Sequence, residues 1–437
     1  MIQPNDVHAT LSRSILADGL PMVLDLEASR GSDLVDARDG RHYLDLFTCF
    51  ASSALGFNHP ALANPLAVEE LGRTAINKPS NSDLYTVAMA RFVDTFVRVL
   101  GDPRLPHLFF IEGGTLAVEN ALKVAFDYKS RRNEAAGLPE GLGTKILHLT
   151  DAFHGRSGYS LSLTNTDPVK TARFPTFGWP RISSPYAGTH PDGTRRDVAA
   201  LEDAAVAQAE AAFAVHGPDI AAFIAEPIQG EGGDHHLSAG FLHRMQELVH
   251  ANDALFILDE VQTGVGMTGT AWTYSQLGLE PDVVAFGKKT QVCGIMAGGL
   301  VDQIDDHVFG VSSRINSTWG GNLVDMVRAR MILEVIEADH LIEQAAATGA
   351  WLLARLDELA ARHPAIRDVR GRGLMCAFSL PDTPTRDRFI AGLAERGILV
   401  LGCGRRSVRF RPALTITPAE LERALAAADQ VLAAATA

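Results

Sequence analysis

The sequence of 437 residues is poor in cysteine, in basic charge and in long apolar runs, and each shortage excludes a class of protein. Its four cysteines, Cys49, Cys293, Cys376 and Cys403, lie far apart without C-x-x-C spacing, so we expect neither a disulfide framework nor a zinc site. Lysines and arginines number 39 against 52 aspartates and glutamates, and the net charge of −13 argues against binding to nucleic acid or to an anionic membrane surface. The sequence has no export signal and no run of about 18 apolar residues, so we expect a cytoplasmic protein without a membrane span.

The remaining composition is that of a folded protein. Hydrophobic residues make up 46% of the chain and charged residues 21%. The length fits roughly two to three domains, or one large α/β core with additions. Between about residues 105 and 290, short β-type runs alternate with segments of helical period, which indicates a mostly parallel sheet with crossover helices. The predicted strands are His107–Ile111, Lys145–Leu149, Ile220–Ala225, Leu255–Leu258 and Val283–Phe286.

The spacing of apolar residues predicts further helices, and proline and glycine mark a domain boundary. Val118 and Leu122 recur at helical spacing after the first strand, which predicts an amphipathic helix packed on the sheet. The segment from Arg328 to about Leu359 is also predicted to be helical. Pro364 and the glycines that follow it mark a boundary before a last α+β stretch, so we expect a large central α/β domain and a smaller terminal one.

An aspartate and a lysine follow two successive predicted strands. Asp259 comes directly after the apolar run Leu255–Leu258, and Lys288 comes just past the next strand. Both therefore lie at the carboxyl edge of the sheet, where ligand sites of α/β proteins form. An amine there can form a Schiff base with an aldehyde cofactor, and a carboxylate can keep a pyridine nitrogen protonated. These are the two groups that pyridoxal phosphate requires.

Each residue taken alone has a simpler interpretation. Asp259 could cap a helix or bind the metal of a P-loop ATPase, but the motif G-x-x-x-x-G-K-[ST] is absent. Gly114 and Thr115 open the predicted helix and suit an anion, although a glycine turn with a threonine cap has the same pattern. Phe153 and Arg156 offer a plate for a flat ring and a cation for a carboxylate, or else a core phenylalanine beside a surface arginine.

Six segments together resemble one known family. The segments FFIEGGTLAVENALK, DAFHGRSGYSLSLTNT, AEPIQGEGG, LDEVQTGVGMTG, PDVVAFGKK and STWGGN occur in the order and spacing of the class III aminotransferases. The resemblance runs from about Asp25 to the C-terminus and implies an α/β, fold-type I pyridoxal-phosphate enzyme. Such an enzyme has a mostly parallel central sheet with helices on both faces and a smaller α+β domain, and it works as a homodimer with shared active sites. We expect residues 1–60 to contribute to the small domain, residues 61–327 to form the large cofactor-binding domain and residues 328–437 to form the C-terminal small domain.

The resemblance also implies roles for individual residues. Lys288 is the Schiff-base lysine, Asp259 pairs with the pyridine nitrogen, and Gln262 binds near the phenolic oxygen. Thr318 would reach the phosphate from the neighbouring subunit, although without the family it would be interpreted as a turn residue. The cofactor-binding residues implied in this way are Gly114, Thr115, Phe153, Asp259, Gln262, Lys288 and Thr318.

The sequence after Lys288 predicts the amino donor. Many members of the family have a glycine-rich run there, whereas Lys289-Thr290-Gln291 follows here and resembles the members that act on lysine. This implies transfer of the terminal amine of L-lysine to 2-oxoglutarate, which gives 2-aminoadipate 6-semialdehyde and L-glutamate. The alternatives are ornithine, 4-aminobutyrate, another ω-amino acid or a diamine as donor, and a binding protein that has kept the fold without activity.

Substrate recognition is expected to involve two arginines and one glutamate. Arg409 resembles the carboxylate-binding arginine of related ω-aminotransferases, with Arg411 as the alternative. Glu231 resembles a switch glutamate that pairs with Arg409 when lysine is bound and swings aside for glutamate or 2-oxoglutarate; an exposed loop residue is the other interpretation. Arg156 would hold the carboxylate at the far end of the substrate. We assign no metal, because the cluster Asp234-His235-His236 has no further ligands in register.

Overall fold

The computed structural model describes residues 2–190 and 192–436. In this part of the chain the strands are β1 (Asp33–Val35), β2 (His42–Asp45), β3 (His107–Ile111), β4 (Lys145–Leu149), β5 (Arg181–Ile182), β6 (Ile220–Ala225), β7 (Ile228–Gln229), β8 (His235–His236), β9 (Leu255–Asp259), β10 (Val283–Phe286), β11 (Cys293–Ala297), β12 (Arg367–Arg372), β13 (Met375–Ser379), β14 (Ile398–Leu399), β15 (Leu401–Cys403) and β16 (Ser407–Phe410). The helical segments are α1 (Val7–Leu11), α2 (Thr48–Ala51), α3 (Pro60–Ala63), α4 (Pro65–Ala75), α5 (Val87–Leu100), α6 (Gly114–Ala135), α7 (Gly158–Leu163), α8 (Val198–His216), α9 (Gly230–Gly233), α10 (Ala239–His250), α11 (Thr273–Gln276), α12 (Leu323–Ala338), α13 (Leu341–Arg362), α14 (Thr383–Glu395) and α15 (Pro418–Thr436). Within the described residues, none of the helices has both the length and the apolar character needed to cross a bilayer.

The central sheet is mostly parallel, as predicted. Within the described residues its order is β3-β11-β10-β9-β6-β4-β5. Strand β11 runs antiparallel to β10 and β3, and the other neighbouring pairs are parallel. All five predicted strands are confirmed, with β9 one residue longer because it includes Asp259.

Both faces of the sheet are covered by helices. Successive side chains of a strand point in opposite directions, so each strand contributes to a core on either face. In β9, Phe256 and Leu258 join a core that also contains the apolar side of α10, whereas Ile257 joins a second core with Val118 and Leu122 of α6. Burying each such side chain contributes about 1.5–3 kcal/mol. The amphipathic helix and the α/β fold class predicted from the sequence are therefore confirmed.

Smaller sheets complete the fold. Strands β12, β13, β16 and β15 form an antiparallel sheet near the C-terminus. Strand β2 pairs in parallel with β14, so the N-terminal segment adds to structure built by the C-terminal part of the chain. The exact domain boundaries stay a prediction.

The segment from Arg328 to about Leu359 is helical, as predicted, but it is divided between two helices. Helix α12 ends at Ala338 and α13 begins at Leu341. His340 between them has a φ of 51°, in the left-handed region, so it interrupts the helical hydrogen bonds.

Candidate active site

A cavity of about 800 Å³ opens at the carboxyl edge of the central sheet. This volume is within the usual range for small-molecule sites. The predicted site residues that line it are Gly114, Thr115, Phe153, Arg156, Glu231, Asp259, Gln262 and Lys288.

The sheet brings Lys288 and Asp259 to this cavity. Asp259 is the last residue of β9 and pairs in register with Ala285 of β10, and Lys288 follows β10 after one glycine. Lys288 has a φ of 54°, a left-handed conformation that is rare for a residue with a side chain and is often found at functional sites. Burial and the charge of Arg409 lower the pKa of the Lys288 amine to about 8. The amine is therefore partly unprotonated near neutral pH and can act as a base.

His154 holds Asp259 from behind, a contact that the sequence interpretation missed. Its Nδ1 lies 2.8 Å from Oδ2 of Asp259, and both side chains are buried. The backbone N–H of Val261 donates to the other carboxylate oxygen at 3.1 Å. The carboxylate is thus fixed in one orientation at the floor of the cavity. His154 lies inside one of the motifs quoted above, but its partner is distant in sequence.

A second acid, Glu226, lies beside this group and was also missed. It is 6% exposed and accepts hydrogen bonds from the backbone N–H groups of Phe153 at 2.9 Å and Gly230 at 3.2 Å. Burial and the nearby charge of Asp259 raise the pKa of Glu226 well above its usual value. Glu226 therefore ties together the two loops that carry Phe153 and Glu231.

The N-terminus of α6 forms another wall, where backbone N–H groups and the helix dipole favour an anion. The hydroxyl of Thr115 lies 2.6 Å from that of Ser160 and accepts the backbone N–H of Arg156 at 3.1 Å. Gly155 has a φ of 131°, and a side chain there would collide with the Thr115 hydroxyl. A Cβ at Gly114 would contact Val261 at 3.0 Å, so glycine leaves this corner open.

Phe153 and Arg156 line the same cavity. The guanidinium carbon of Arg156 is 5.9 Å from the centroid of the Phe153 ring, and Arg156 is exposed. The ring is thus available as a plate, and the exposed guanidinium can meet a ligand carboxylate.

Glu231 also lines the cavity and lies between two cations. Its Oε2 accepts a hydrogen bond from Nη2 of Arg409 at 3.0 Å, and its Oε1 accepts one from Nζ of Lys170 at 2.7 Å. Although partial burial alone would raise the pKa of Glu231, the charges of Arg409 and Lys170 lower it from its usual value. The side chain of Arg409 is 4% exposed and that of Glu231 is 29% exposed. Lys170 is a third partner in this cluster that the sequence did not reveal.

Arg411 has different partners from Arg409. Its Nε donates to the side-chain oxygen of Gln262 at 3.0 Å, and its Nη2 forms a buried ion pair with Asp234. Arg411 is therefore engaged in orienting Gln262, whereas Arg409 has Glu231 as its carboxylate partner. The geometry favours Arg409 as the arginine that a substrate carboxylate would reach.

Thr318 does not line this cavity. It is exposed, in a loop that is hydrogen-bonded to residues 81 and 82. The hydroxyl of Ser82 donates to the carbonyl of Ser317 at 2.7 Å, and the backbone N–H of Asn81 donates to the carbonyl of Trp319 at 3.1 Å. The chain alone brings together all the other predicted site residues. Thr318 is the exception, and its predicted role requires a second subunit.

Comparisons with known proteins identify the family of this chain. The family model Aminotransferase class-III matches residues 15–432. An L-lysine-epsilon aminotransferase of Mycobacterium tuberculosis strain H37Rv is 62% identical over 98% of this chain and 96% of that relative, and one from Streptomyces clavuligerus is 56% identical over 98% of this chain and 94% of that relative. A solved structure of a lysine aminotransferase from M. tuberculosis in the internal aldimine form is 62% identical, with a TM-score of 0.96 and coverage of 99% of both chains. The chain belongs to the class III aminotransferase family.

Proposed function

We propose that the protein transfers the ε-amino group of L-lysine to 2-oxoglutarate, with pyridoxal 5′-phosphate as cofactor. The products are 2-aminoadipate 6-semialdehyde and L-glutamate. The observation that carries the proposal is the Glu231–Arg409 pair beside the Lys288 cavity, in a chain 62% identical to L-lysine-epsilon aminotransferases. This pair suits an enzyme whose two amino donors differ in whether they carry a carboxylate next to the reacting amine.

The residues of the cavity fit the cofactor. An amine and a fixed carboxylate suit its aldehyde and its ring nitrogen, the N-terminus of α6 suits its phosphate, and Phe153 suits its flat ring. Gly114 leaves open the corner where the phosphate would lie. We assign the phosphate to Gly114, Thr115 and the partner's loop, and the neighbourhood of the phenolic oxygen to Gln262.

When bound, pyridoxal phosphate takes up the amino group of the donor and accepts electrons from the donor carbon. Lys288 would hold the cofactor at its aldehyde carbon through Nζ. Once free, the Lys288 amine would act as general base and remove a proton from Cε of the substrate L-lysine. The lowered pKa of Lys288 suits it to this role. Asp259, held by His154, would keep a proton on the ring nitrogen.

Glu231 and Arg409 would adapt the cavity to the two donors. With lysine bound, methylene groups lie near Arg409, and Glu231 neutralises its charge. With glutamate or 2-oxoglutarate bound, the α-carboxylate pairs with Arg409 and the Glu231 side chain moves aside. Arg156 would hold the carboxylate at the other end of either substrate.

We further propose a cytoplasmic homodimer in which Thr318 completes the partner's phosphate site. Near its loop, several large apolar side chains are exposed, which is typical of an interface. These are Ile76, Leu84, Tyr85, Val87 and Trp319. The four free thiols are compatible with the reducing cytoplasm. Sedimentation analysis should give twice the chain mass, and Thr318→Ala should weaken cofactor binding; a monomer of full activity would contradict this assembly.

A donor panel tests the proposed reaction. The loss of the visible absorption band of the bound cofactor is followed after mixing with L-lysine, L-ornithine or 4-aminobutyrate. We expect L-lysine to react with the highest kcat/KM and the band to return with 2-oxoglutarate. A faster reaction with ornithine or 4-aminobutyrate would mean that this compound, and not lysine, is the amino donor. Lys288→Ala provides the control, since it should lack both the band and the reaction.

A further inference from the structure

Lys289, the neighbour of Lys288, is buried and has no place in the mechanism above. It is 0% exposed, and its Nζ donates to the backbone carbonyl of Gln262 at 2.9 Å and to that of Ala51 at 3.4 Å. Burial and the charge of Lys288 lower the pKa of this amine to about 7. Burying an amine without a carboxylate partner is costly. The position of Lys289 between two backbone carbonyls therefore needs a structural explanation.

The second carbonyl belongs to an unusual turn. In α2, the residues Thr48, Cys49, Phe50 and Ala51 have φ values of 44°, 51°, 60° and 67°. This is a left-handed helical turn without glycine, which costs roughly 1–2 kcal/mol per residue. Surrounding contacts must therefore hold it in place.

Those contacts come from both ends of the turn. At its start, a carboxylate oxygen of Asp45 accepts the backbone N–H of Thr48 at 2.8 Å, and the hydroxyl of Thr48 donates to the carbonyl of Arg411 at 2.5 Å. At its end, Lys289 donates to the carbonyl of Ala51. Because Lys289 also holds Gln262, it joins the turn to the wall of the cavity that contains the end of β9.

The turn displays Phe50 in the cavity. The ring is 47% exposed, and its centroid lies 5.7 Å from Nζ of Lys288 and 5.7 Å from the guanidinium carbon of Arg409. Both distances allow cation–π attraction. The ring thus spans the space between the reacting amine and the carboxylate-binding arginine, where the carbon chain next to the reacting amine must lie.

We propose that Lys289 is a positioning residue: by holding the left-handed turn at Ala51, it places the Phe50 ring against the carbon chain of the amino donor. The inference rests on the proposed function, because it takes an ω-amine donor as substrate. Lys289 acts through Phe50 and does not touch the substrate. Its loss therefore affects donor binding more than the chemical step.

A double-mutant cycle with Lys289→Met and Phe50→Ala tests this. Methionine replaces the unbranched apolar stem of Lys289, one atom shorter at its end, and removes the N–H donors. We expect Lys289→Met to raise KM for L-lysine about tenfold with kcat changed less than about threefold, and to change KM less than about twofold in the Phe50→Ala background, since no ring is left to place. Equal effects in both backgrounds, or no effect in either, would overturn the proposal.

Lys129 provides a matched control. It is 3% exposed, and its Nζ also donates to two backbone carbonyls, those of Asn252 at 2.7 Å and Asp253 at 3.2 Å, away from the cavity. Lys129→Met should lower the melting temperature without changing KM. A rise in KM equal to that of Lys289→Met would mean that loss of any buried lysine has this effect, and would also overturn the proposal.

Hydrogen exchange gives a readout that does not depend on turnover. Amide exchange in the peptide that covers residues 45–53 should be faster in Lys289→Met and unchanged in Lys129→Met. Unchanged exchange in both variants would refute the role of Lys289 in holding the turn. If wild-type protein does not react with L-lysine, the proposed function is wrong, and the cycle is then run with the donor that reacts fastest in the panel; the exchange result stands in either case.

Discussion

Replacing Glu231 by glutamine removes one charge from the ion cluster and keeps the shape of the side chain. In the structure Glu231 accepts hydrogen bonds from Arg409 at 3.0 Å and from Lys170 at 2.7 Å. Breaking a buried ion pair by removing one partner costs about 3–5 kcal/mol. The side chain of Glu231 is 29% exposed, so solvent screens part of this, and about 2–3 kcal/mol is the better expectation.

This cost should appear only when Arg409 has no other partner. With L-lysine as donor, we expect kcat/KM to fall roughly 30- to 150-fold, since about 1.4 kcal/mol corresponds to a factor of ten. With L-glutamate as donor, the substrate carboxylate neutralises Arg409, and we expect a change of less than about threefold. The two half-reactions can be measured separately by stopped-flow absorption of the cofactor. Lys170→Met is the control, because it removes the other cation and leaves the Glu231–Arg409 pair.

Equal losses in both half-reactions would refute the reasoning, because they would show that Glu231 does not distinguish the two substrates. So would a variant that reacts normally with both donors, since Arg409 would then be tolerated without a partner.

Other variants and conditions follow from the same geometry. Asp259→Asn should retain the bound cofactor and lower the rate by several orders of magnitude, and near-normal turnover would refute its assignment. Gly155→Ala should displace the Thr115 hydroxyl and weaken cofactor affinity in titrations of cofactor-free protein, whereas unchanged affinity would exclude Thr115 as a phosphate ligand. The rate at which cofactor-free wild-type protein binds the cofactor should increase as the pH rises and level off above about 8, because burial and Arg409 lower the pKa of Lys288 to about 8. A rate independent of pH between 6 and 9 would contradict this. Burial lowers the pKa of His148 and His236 to about 3, so below pH 6.5 the unfolded chain binds protons that the folded chain does not. The free energy of unfolding, measured with urea, should therefore fall as the pH drops below 6.5, by at most about 1.4 kcal/mol per pH unit for each histidine. The variant His236→Asn should reduce this slope.

The residues that could be predicted from the sequence are those placed by sheet geometry. Asp259 ends one strand and Lys288 follows the next, and the carboxyl ends of parallel strands meet at one edge of the sheet whatever the loops do. Gly114 and Thr115 follow a strand in the same way. The resemblance to the family then supplied roles that spacing alone leaves open.

The residues that could not be predicted depend on contacts between distant parts of the chain. His154 meets Asp259, and Lys170 meets Glu231, only after loops fold over the cavity. The left-handed turn that carries Phe50 contains no glycine, so no local signal marked it. The sequence also left the choice between Arg409 and Arg411 open, because the partners that separate them come from other loops.

The most direct test of the central claim is to find which lysine binds the cofactor. Borohydride reduction of the protein reconstituted with pyridoxal phosphate makes that bond permanent, and tandem mass spectrometry of the peptides then locates it. We predict the label on Lys288 and none on the adjacent Lys289. A label on Lys289 or on any other lysine would contradict the account.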